Sequence, residues 1–241
     1  MDRIMVVAAG SDWVNPCGGV RWRTLANGSI EVEGQGVPIW APGSPQFKYL
    51  NQTWLNWRAH FEAAARKYGI PPSWLVAIAT METGLWSGNP KQQATIGSFD
   101  GSIGIMQPLT IVSSIYGYSS ADRADPAKNI DMGSHLIFDD SRTTNGKIGG
   151  FPVVAAMFNG GASKGGCNPG NDVFNLKGYR GPPGARWPTA VYASNAIRYQ
   201  NAAVLTLRTD QQVASTSAGM LVGGALALGL GSLAGFFALK H

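Results

Sequence analysis

The sequence predicts a mainly α-helical domain with a short irregular or β-rich N-terminal arm and a C-terminal transmembrane helix. Between residues 51 and 207, apolar residues recur at three- and four-residue spacing, which is typical of amphipathic helices. Residues 1–50 contain many Gly and Pro turn signals instead. Residues 218–239 contain no charged residue, and ~20 apolar residues span a bilayer. The predicted organisation is an arm (1–50), a helical domain (51–207), a linker (208–217) and a transmembrane helix (218–239).

Composition excludes several classes of protein. The 241 residues have a net charge of +5, which favours acidic partners, but the basic residues are scattered and match no nucleic-acid-binding motif. We therefore expect no nucleic-acid partner. Cys17 and Cys167 lack the spacing of a zinc site, and one bridge or two free thiols both remain open. The three histidines are far apart in the sequence, so we expect neither a metal site nor a cofactor.

Turn and capping signals divide the helical region. The first helix is predicted over residues 51–69 and ends at Gly69, and the second over residues 73–83, after Pro71-Pro72. A polar loop is predicted over residues 85–102. Further helices are predicted after Pro108, from Pro126, over residues 151–159 and over residues 188–207. In the arm, residues 19–25 and 29–33 flank Asn27-Gly28 and predict a hairpin.

The C-terminal segment predicts membrane attachment. Four glycines form two small-xxx-small patterns that favour helix packing within a bilayer: Gly219, Gly223, Gly231 and Gly235. The alternative is a buried Gly-rich core helix, although glycine is costly in a soluble helix. At the other end, the apolar run over residues 4–9 is shorter than the ~7–15 residues of a secretory signal. We expect a membrane-anchored protein without a secretory signal.

Glu82 is the first candidate for chemistry. It shares a helix face with Leu75 and Ile78, close to the predicted end of the second helix. Burial and the negative end of the helix dipole should both raise the pKa of its carboxyl. A carboxylic acid that stays protonated near neutral pH can protonate a leaving oxygen. The alternative is a Glu at a helix end that faces water.

Five short motifs follow one another between residues 70 and 192, and the first of them contains Glu82. They are the apolar helix of residues 70–84 ending in Glu-Thr-Gly, Gly-Ile-Met-Gln at residues 104–107, Asp-Pro-Ala-Lys-Asn-Ile-Asp-Met-Gly at residues 125–133, Ala-Ala-Met-Phe-Asn-Gly-Gly at residues 155–161, and Thr-Ala-Val-Tyr at residues 189–192. Each motif alone is weakly specific, but their common order is strongly so. Over residues 55–200 the sequence resembles the lytic transglycosylase family, which has a goose-lysozyme-like fold.

The resemblance implies roles for particular residues. Glu82 is the expected general acid and base. The expected substrate-binding residues are Thr83, Met106, Gln107, Phe158, Asn159 and Tyr192, with Tyr192 directed toward the Glu82 carboxyl. Structural alternatives are core packing for Met106, a helix-end cap for Asn159 and an aromatic core position for Tyr192. Phe158 departs from the family, which has Tyr there, so the hydroxyl of that residue is absent.

The resemblance also implies a reaction and a setting. The expected enzyme is a peptidoglycan lytic transglycosylase that cleaves the MurNAc-β-1,4-GlcNAc bond with one carboxylate and forms a 1,6-anhydro sugar. If Asp100 positioned a water, the enzyme would be a muramidase-type hydrolase. A non-catalytic wall-binding or virion structural protein is the third alternative. Expected partners are glycan strands, a membrane, and other virion or envelope-machine proteins, in a phage particle during genome entry or in a bacterial envelope.

Overall fold

The structure is a computed structural model that describes residues 12–15, 19–85, 87–98, 100–142, 150–160 and 190–209. The chain divides into two compact units, Met1–Val204 and Leu205–His241. All the predicted site residues belong to the first unit. Cys17, Cys167 and the predicted transmembrane helix over residues 218–239 lie outside the described residues. None of the described helices is long and apolar enough to cross a membrane.

The described part is mainly helical, as predicted. Its elements are, in chain order, β1 (Trp22–Thr24), β2 (Ile30–Val32), α1 (Pro45–Tyr68), α2 (Pro72–Ala79), a π-helix (Thr80–Gly84), α3 (Pro90–Thr95), α4 (Thr110–Ile115), a 3-10 helix (Ala121–Ala124), α5 (Pro126–Arg142), α6 (Phe151–Gly160) and α7 (residues 190–209). Helix α1 packs against α2, α5 and the π-helix, and α5 also packs against α6. The core lies between these helices.

Helix α1 begins at Pro45, before the predicted start at residue 51. Ser44 adopts an extended backbone and its hydroxyl accepts a hydrogen bond from the backbone N–H of Phe47, so it is a regular N-cap followed by Pro at the first helical position. The helix ends at Gly69, whose φ of 66° is left-handed, as predicted. Its buried face includes Trp54 and Phe61, whose rings stack with centroids 6.3 Å apart.

The arm contains the predicted hairpin. Strands β1 and β2 are antiparallel, with Trp22 paired to Val32 and Thr24 paired to Ile30. The backbone N–H of Gly28 donates to the carbonyl of Leu25, closing the turn between the strands. Trp22, Ile30 and Val32 are each only 1% exposed, so the hairpin is buried against the rest of its unit. A two-stranded hairpin is marginal in water by itself, and this burial stabilises it.

The predicted polar loop over residues 85–102 is partly wrong, because it contains α3. Asn89 caps this helix by accepting a hydrogen bond from the N–H of Lys91, and Pro90 occupies the first turn. The helix is short and mostly polar, and apolar periodicity therefore gave no signal for it. The fully buried Gln93 side chain fixes it to α1: its Oε1 accepts a hydrogen bond of 2.8 Å from Trp57 Nε1.

Candidate active site

Glu82 lies in the middle of the π-helix that continues α2. The backbone N–H of Leu85 donates to the carbonyl of Thr80 over five residues, which is the π-helical pattern. Thr80 also donates through its hydroxyl to the carbonyl of Val76, at 2.7 Å. The neighbours Met81 and Thr83 are buried, whereas Glu82 is partly exposed. Single π-turns within helices are frequent at functional sites, and this one presents a single carboxyl at the surface of an apolar helix.

A glycine allows the π-helix to lie close to α1. A Cβ at Gly84 would lie 2.5 Å from Thr53 Oγ1, so no larger residue fits without movement. Thr53 Oγ1 accepts a hydrogen bond of 3.2 Å from Gln93 Nε2, and both residues are fully buried. The turn that contains Glu82 is therefore held by a small buried polar cluster as well as by apolar packing.

Tyr192 of α7 reaches Glu82, as the resemblance implies. Its hydroxyl donates a hydrogen bond of 2.5 Å to Glu82 Oε1. Tyr192 is 3% exposed. Burial is the largest cause that raises the pKa of Tyr192, and the adjacent Glu82 carboxyl raises it further. The phenol therefore remains protonated and acts as a hydrogen-bond donor to the carboxylate.

The environment of Glu82 raises its pKa to about 7. Burial is the largest cause, because desolvation disfavours the carboxylate. The hydrogen bond from Tyr192 lowers the pKa, and the negative charge of Asp100 raises it. The direction agrees with the expectation from the apolar helix face. A carboxyl with this pKa can both donate and accept a proton near neutral pH.

The Gly104–Gln107 loop, which faces the end of the π-helix, is fixed by Asn129 of α5. Asn129 Oδ1 accepts from the N–H of Met106 at 2.8 Å, and its Nδ2 donates to the carbonyls of Ile103 at 2.9 Å and Arg123 at 2.6 Å. Gly104 has a φ of 81°, and a Cβ there would lie 2.4 Å from Asn129 Nδ2. The buried Asn129 side chain thus holds the loop in place by hydrogen bonds. The close approach of the two residues leaves room only for glycine at position 104.

The Gln107 side chain makes three hydrogen bonds with residues that precede it in the chain. Its Nε2 donates to the carbonyls of Ile96 at 2.9 Å and Gly104 at 2.6 Å, and its Oε1 accepts from the hydroxyl of Ser102 at 2.9 Å. Its backbone has a φ of 48°, an uncommon value for a residue other than glycine. These bonds define a structural role for Gln107. Its predicted contact with glycan stays a prediction.

Met106 and Thr83 lie beneath the surface. Met106 is fully buried, and a Cβ at Gly133 would lie 2.5 Å from Met106 Cβ, so the core-packing alternative describes this side chain. Thr83 is also fully buried, and its hydroxyl donates to the carbonyl of Ile105 at 3.1 Å. Neither side chain is open to solvent, so both stabilise the site by packing and hydrogen bonding beneath its surface. Contact of either residue with substrate remains a prediction.

Phe158 and Asn159 lie at the end of α6 and are partly exposed. Their exposure is compatible with the predicted place in a substrate cleft, and their role stays a prediction. Asp100 is exposed, and its Oδ1 accepts from the N–H of Ser102 at 3.0 Å. This is the turn geometry expected for an Asp before Gly. Among the described residues, no group of three or more His, Cys, Asp or Glu residues could hold a metal ion.

Two structural residues of the site were not singled out from the sequence. Asn129 lay in a recognised motif but received no role, although an Asn in a helix interior that follows an acidic cap is an unusual choice by propensity. Arg123 had no sequence signal. Its Nη1 donates to the carbonyls of Gly101 at 2.6 Å and Pro108 at 3.3 Å, at the two ends of the loop. Such loop contacts over long sequence separation are visible only in the tertiary structure.

Comparison with known proteins adds a family match. Residues 59–172 match the model of the transglycosylase SLT domain. This match agrees with the resemblance to the lytic transglycosylase family that the sequence motifs indicate. The matched region includes Glu82, Gln107 and Asn159, whereas Tyr192 and the arm lie outside it. No curated protein matches the chain.

Two solved structures are similar to part of the chain. One is an inactive mutant of the lytic transglycosylase Slt from Pseudomonas aeruginosa, with a TM-score of 0.45, 18% identity, and coverage of 63% of this chain and 24% of that one. The other is the 70 kDa soluble lytic transglycosylase SLT70 from Escherichia coli, with a TM-score of 0.47, 15% identity, and coverage of 67% of this chain and 30% of that one. The chain therefore spans less than a third of the length of either protein.

Proposed function

We propose that this protein is a peptidoglycan lytic transglycosylase that cleaves the MurNAc-β-1,4-GlcNAc bond and forms 1,6-anhydro-MurNAc. The observation that supports it best is the environment of Glu82: a carboxyl with a pKa of about 7, partly exposed, and hydrogen-bonded by Tyr192. The family match over residues 59–172 supports the substrate class.

The chemistry needs one group that first gives and then takes a proton. The protonated Glu82 donates its proton to the glycosidic oxygen, and the bond between that oxygen and C1 of MurNAc breaks. The carbonyl oxygen of the 2-acetamido group stabilises the electron-poor C1. The Glu82 carboxylate then removes the proton of the C6 hydroxyl, whose oxygen attacks C1. Glu82 is protonated again, and no water is consumed. A pKa of about 7 makes both proton transfers accessible at neutral pH.

Tyr192 has a defined part in this cycle. Its hydroxyl donates to Glu82 Oε1, which favours the carboxylate that exists between the two proton transfers. The phenol ring also fixes the direction of the carboxyl group. Orientation of this kind contributes to rate when it keeps the reacting atoms within hydrogen-bond distance.

A muramidase-type hydrolase is the alternative favoured by a specific observation. Asp100 is an exposed carboxylate whose charge acts on Glu82. A second carboxylate can activate a water on the opposite side of the sugar. The bonding of Asp100 to the N–H of Ser102 instead supports a turn residue, so the transglycosylase is the preferred reaction.

Product analysis in ¹⁸O-labelled water separates the two reactions. The full chain is incubated with purified peptidoglycan, and soluble fragments are analysed by mass spectrometry. We expect anhydro-muropeptides without ¹⁸O, because the C6 oxygen replaces water. Reducing-end products that contain ¹⁸O would establish hydrolysis. Glu82→Gln, which keeps the shape but lacks the proton, is the matched control. Cleavage by Glu82→Gln at the wild-type rate would show that a contaminating enzyme produces the fragments. It would favour the third alternative, a non-catalytic wall-binding or virion structural protein.

We further propose that the protein opens the wall locally from a membrane, in a phage particle during genome entry. The uncharged run over residues 218–239 supports the membrane part of this proposal. Carbonate extraction of membranes that contain the full chain tests it. We expect the full chain to remain in the pellet and a chain without residues 216–241 to be released. Retention of the shortened chain would contradict an anchor in this segment, and absence of the protein from purified virions would contradict the setting.

A further inference from the structure

Asn201 joins the N-terminal arm to the helix that contains Tyr192. Its Oδ1 accepts a hydrogen bond of 2.6 Å from the N–H of Ile30, and its Nδ2 donates to the carbonyls of Ile30 at 2.9 Å and Pro38 at 2.7 Å. The side chain thus bonds the backbone of β2 as a neighbouring strand would. Asn201 and Ile30 are both 1% exposed, so these bonds are shielded from water.

We propose that residues 19–40 of the arm form a positioning element for Tyr192, and that Asn201 is the positioning residue that transmits this effect along α7. The inference rests on the proposed function only in that Glu82 is the acid and base on which Tyr192 acts. The matched domain ends at residue 172, so this device involves parts of the chain outside the family match.

Helix geometry explains why Asn201 can control Tyr192. The two residues belong to one uninterrupted helix and are separated by about 14 Å along its axis at ~1.5 Å per residue. Nearest to Tyr192, the buried face of α7 consists of the small or aliphatic side chains Ala193, Ala196 and Ile197, and Tyr199 and Gln200 follow next to Asn201. Contacts of this kind are non-directional and tolerate small shifts. Directional hydrogen bonds are needed to fix the axial position of the helix, and Asn201 supplies three.

Further contacts between the arm and α7 surround Asn201. Gln200 Nε2 donates to the carbonyl of Gly28 at 2.8 Å, at the hairpin turn. The ring of Trp40 lies 5.8 Å from that of Tyr199, and the Arg198 guanidinium lies 5.2 Å from the centroid of the Trp40 ring. Three successive residues of α7 before Asn201 therefore contact the arm. A rotation of α7 about its axis would break all of these contacts together.

The arm also contacts the beginning of α6, which places it between two helices of the site. A Cβ at Gly150 would lie 3.1 Å from the indole nitrogen of Trp22, so the backbone there approaches the ring closely. Trp22 is among the largest fully buried side chains. The hairpin is thus packed against the start of α6 as well as hydrogen-bonded to α7.

The test measures the titration of Glu82 directly. In the full chain, ¹³C NMR of the Glu side-chain carboxyls, with the Glu82 signal assigned by its loss in Glu82→Gln, gives the pKa of Glu82. The groups that act on this carboxyl in the described residues are Tyr192 from α7 and Asp100 from the loop before Gly104. Removing a donor to the carboxylate raises its pKa. We expect a rise of about one unit in Tyr192→Phe and about half a unit in Asn201→Ala.

The double variant gives the decisive result. If Asn201 acts through Tyr192, adding Asn201→Ala to Tyr192→Phe leaves the Glu82 pKa where Tyr192→Phe alone puts it. In peptidoglycan cleavage, Asn201→Ala lowers kcat several-fold with KM little changed, and has no further effect in the Tyr192→Phe chain. Additive shifts, or an unchanged Glu82 pKa in Asn201→Ala, would overturn the inference.

A control and a second variant keep the test decisive. Ile137→Val also removes buried contacts, but on α5, and we expect no change in the Glu82 pKa. An equal rise in Ile137→Val would assign the effect to general loosening and overturn the inference. If Asn201→Ala does not fold, Gln200→Met removes the bond to Gly28 while keeping the volume, and we expect a smaller rise of the same sign. Absence of any rise in folded Gln200→Met would then overturn it.

Failure of the proposed function is distinguishable from failure of this inference. A wild-type chain that releases no anhydro-muropeptides contradicts the proposed function, whereas the NMR titration needs no substrate. A wild-type chain that cleaves peptidoglycan, together with a Glu82 pKa that does not respond to Asn201, leaves the function in place and removes the role of the arm.

Discussion

The hydroxyl of Thr83 donates a hydrogen bond of 3.1 Å to the carbonyl oxygen of Ile105, which joins the turn containing Glu82 to the Gly104–Gln107 loop. Both residues are fully buried. The residue next to Glu82 therefore serves as a tie between two site elements that are separated in the sequence. The precision with which Glu82 faces the loop depends on such ties, because carboxyl orientation follows backbone position.

Thr83→Val tests this tie. Valine keeps the shape but leaves the buried carbonyl of Ile105 without its donor, which costs about 1–3 kcal/mol in the free energy of unfolding. We expect that loss in urea denaturation and a fall of about tenfold in kcat as the loop shifts relative to Glu82. Thr83→Ser, which keeps the hydroxyl, should retain most of the activity. Wild-type kcat in Thr83→Val would show that the tie does not position the site.

The pH dependence of stability should reveal the raised pKa of Glu82. Its pKa rises from 4.5 to about 7 on folding, so the folded state binds the proton more tightly than the unfolded state. The resulting stability is fully present below pH ~4.5 and is lost as the pH rises through ~7. Relative to Glu82→Gln, the wild type should lose about 2–3 kcal/mol over this window.

Urea denaturation at several pH values, run in parallel on both chains, measures the difference. The comparison is needed because Asp140 has a raised pKa of about 7 and contributes in the same direction in both chains. Parallel stability curves for the wild type and Glu82→Gln would contradict a protonated Glu82 in the folded protein at neutral pH.

Asp100→Asn should shift the pH profile of activity to lower pH. The negative charge of Asp100 raises the pKa of Glu82, so its removal lowers that pKa, by a few tenths of a unit for an exposed charge. The loss of activity at high pH, where Glu82 is deprotonated, should then begin at a lower pH. Rates on purified peptidoglycan across pH 5–9, at fixed ionic strength, provide the measurement.

The products of Asp100→Asn also separate the candidate reactions. In the one-carboxylate route the variant still releases anhydro-muropeptides at a comparable maximal rate. In a hydrolase that depends on Asp100 to activate water, cleavage falls by orders of magnitude at every pH. That second outcome would replace the transglycosylase with the muramidase.

Two glycines with nearly the same backbone conformation form a matched pair. Gly104 and Gly101 have φ values of 81° and 82°. A Cβ at Gly104 would lie 2.4 Å from Asn129 Nδ2 and 2.9 Å from the carbonyl oxygen of Arg123, whereas nothing lies within 4 Å of one at Gly101. Gly101→Ala should cost only the backbone strain, about 1–2 kcal/mol. Gly104→Ala should lower the free energy of unfolding by more than about 3 kcal/mol, because it also displaces the buried Asn129 side chain and its hydrogen bonds.

Thermal and urea denaturation of both variants provide the comparison, with activity as a second readout. We expect Gly101→Ala to retain activity and Gly104→Ala to lose it even under conditions where it remains folded. Equal costs for the two substitutions would mean that strain alone, and not the contact with Asn129, explains the glycine at position 104.

Local sequence signals determined much of the fold. Gly69 is a regular C-cap, Trp54 and Phe61 mark a buried stripe, and Asn27-Gly28 sits between the two strands of the hairpin. Each of these depends on interactions within a few residues, so the residue types alone are informative. The apolar face that contains Glu82 likewise indicated a raised pKa, since burial of that helix follows from its composition.

Other features depended on contacts between distant residues. The π-turn at Glu82 arises where Gly84 meets Thr53 of α1, and α3 is held by Gln93 rather than by an apolar stripe. The Gln107 amide, a predicted glycan contact, bonds the carbonyl of Ile96 because the loop folds back on itself. No periodicity encodes these contacts, because a single polar side chain makes each of them.

The sequence by itself therefore predicted the helical class, the raised pKa of Glu82 and, through the motif order, Tyr192 as its partner. Only the tertiary structure decided that the arm is bonded to α7 through Asn201 and that Met106 and Thr83 lie beneath the surface. The physical reason is the sequence separation of the interacting residues. Caps, turns and amphipathic faces are local properties of the chain, whereas buried hydrogen bonds between Asn201 and Ile30 exist only after folding has brought the two segments together.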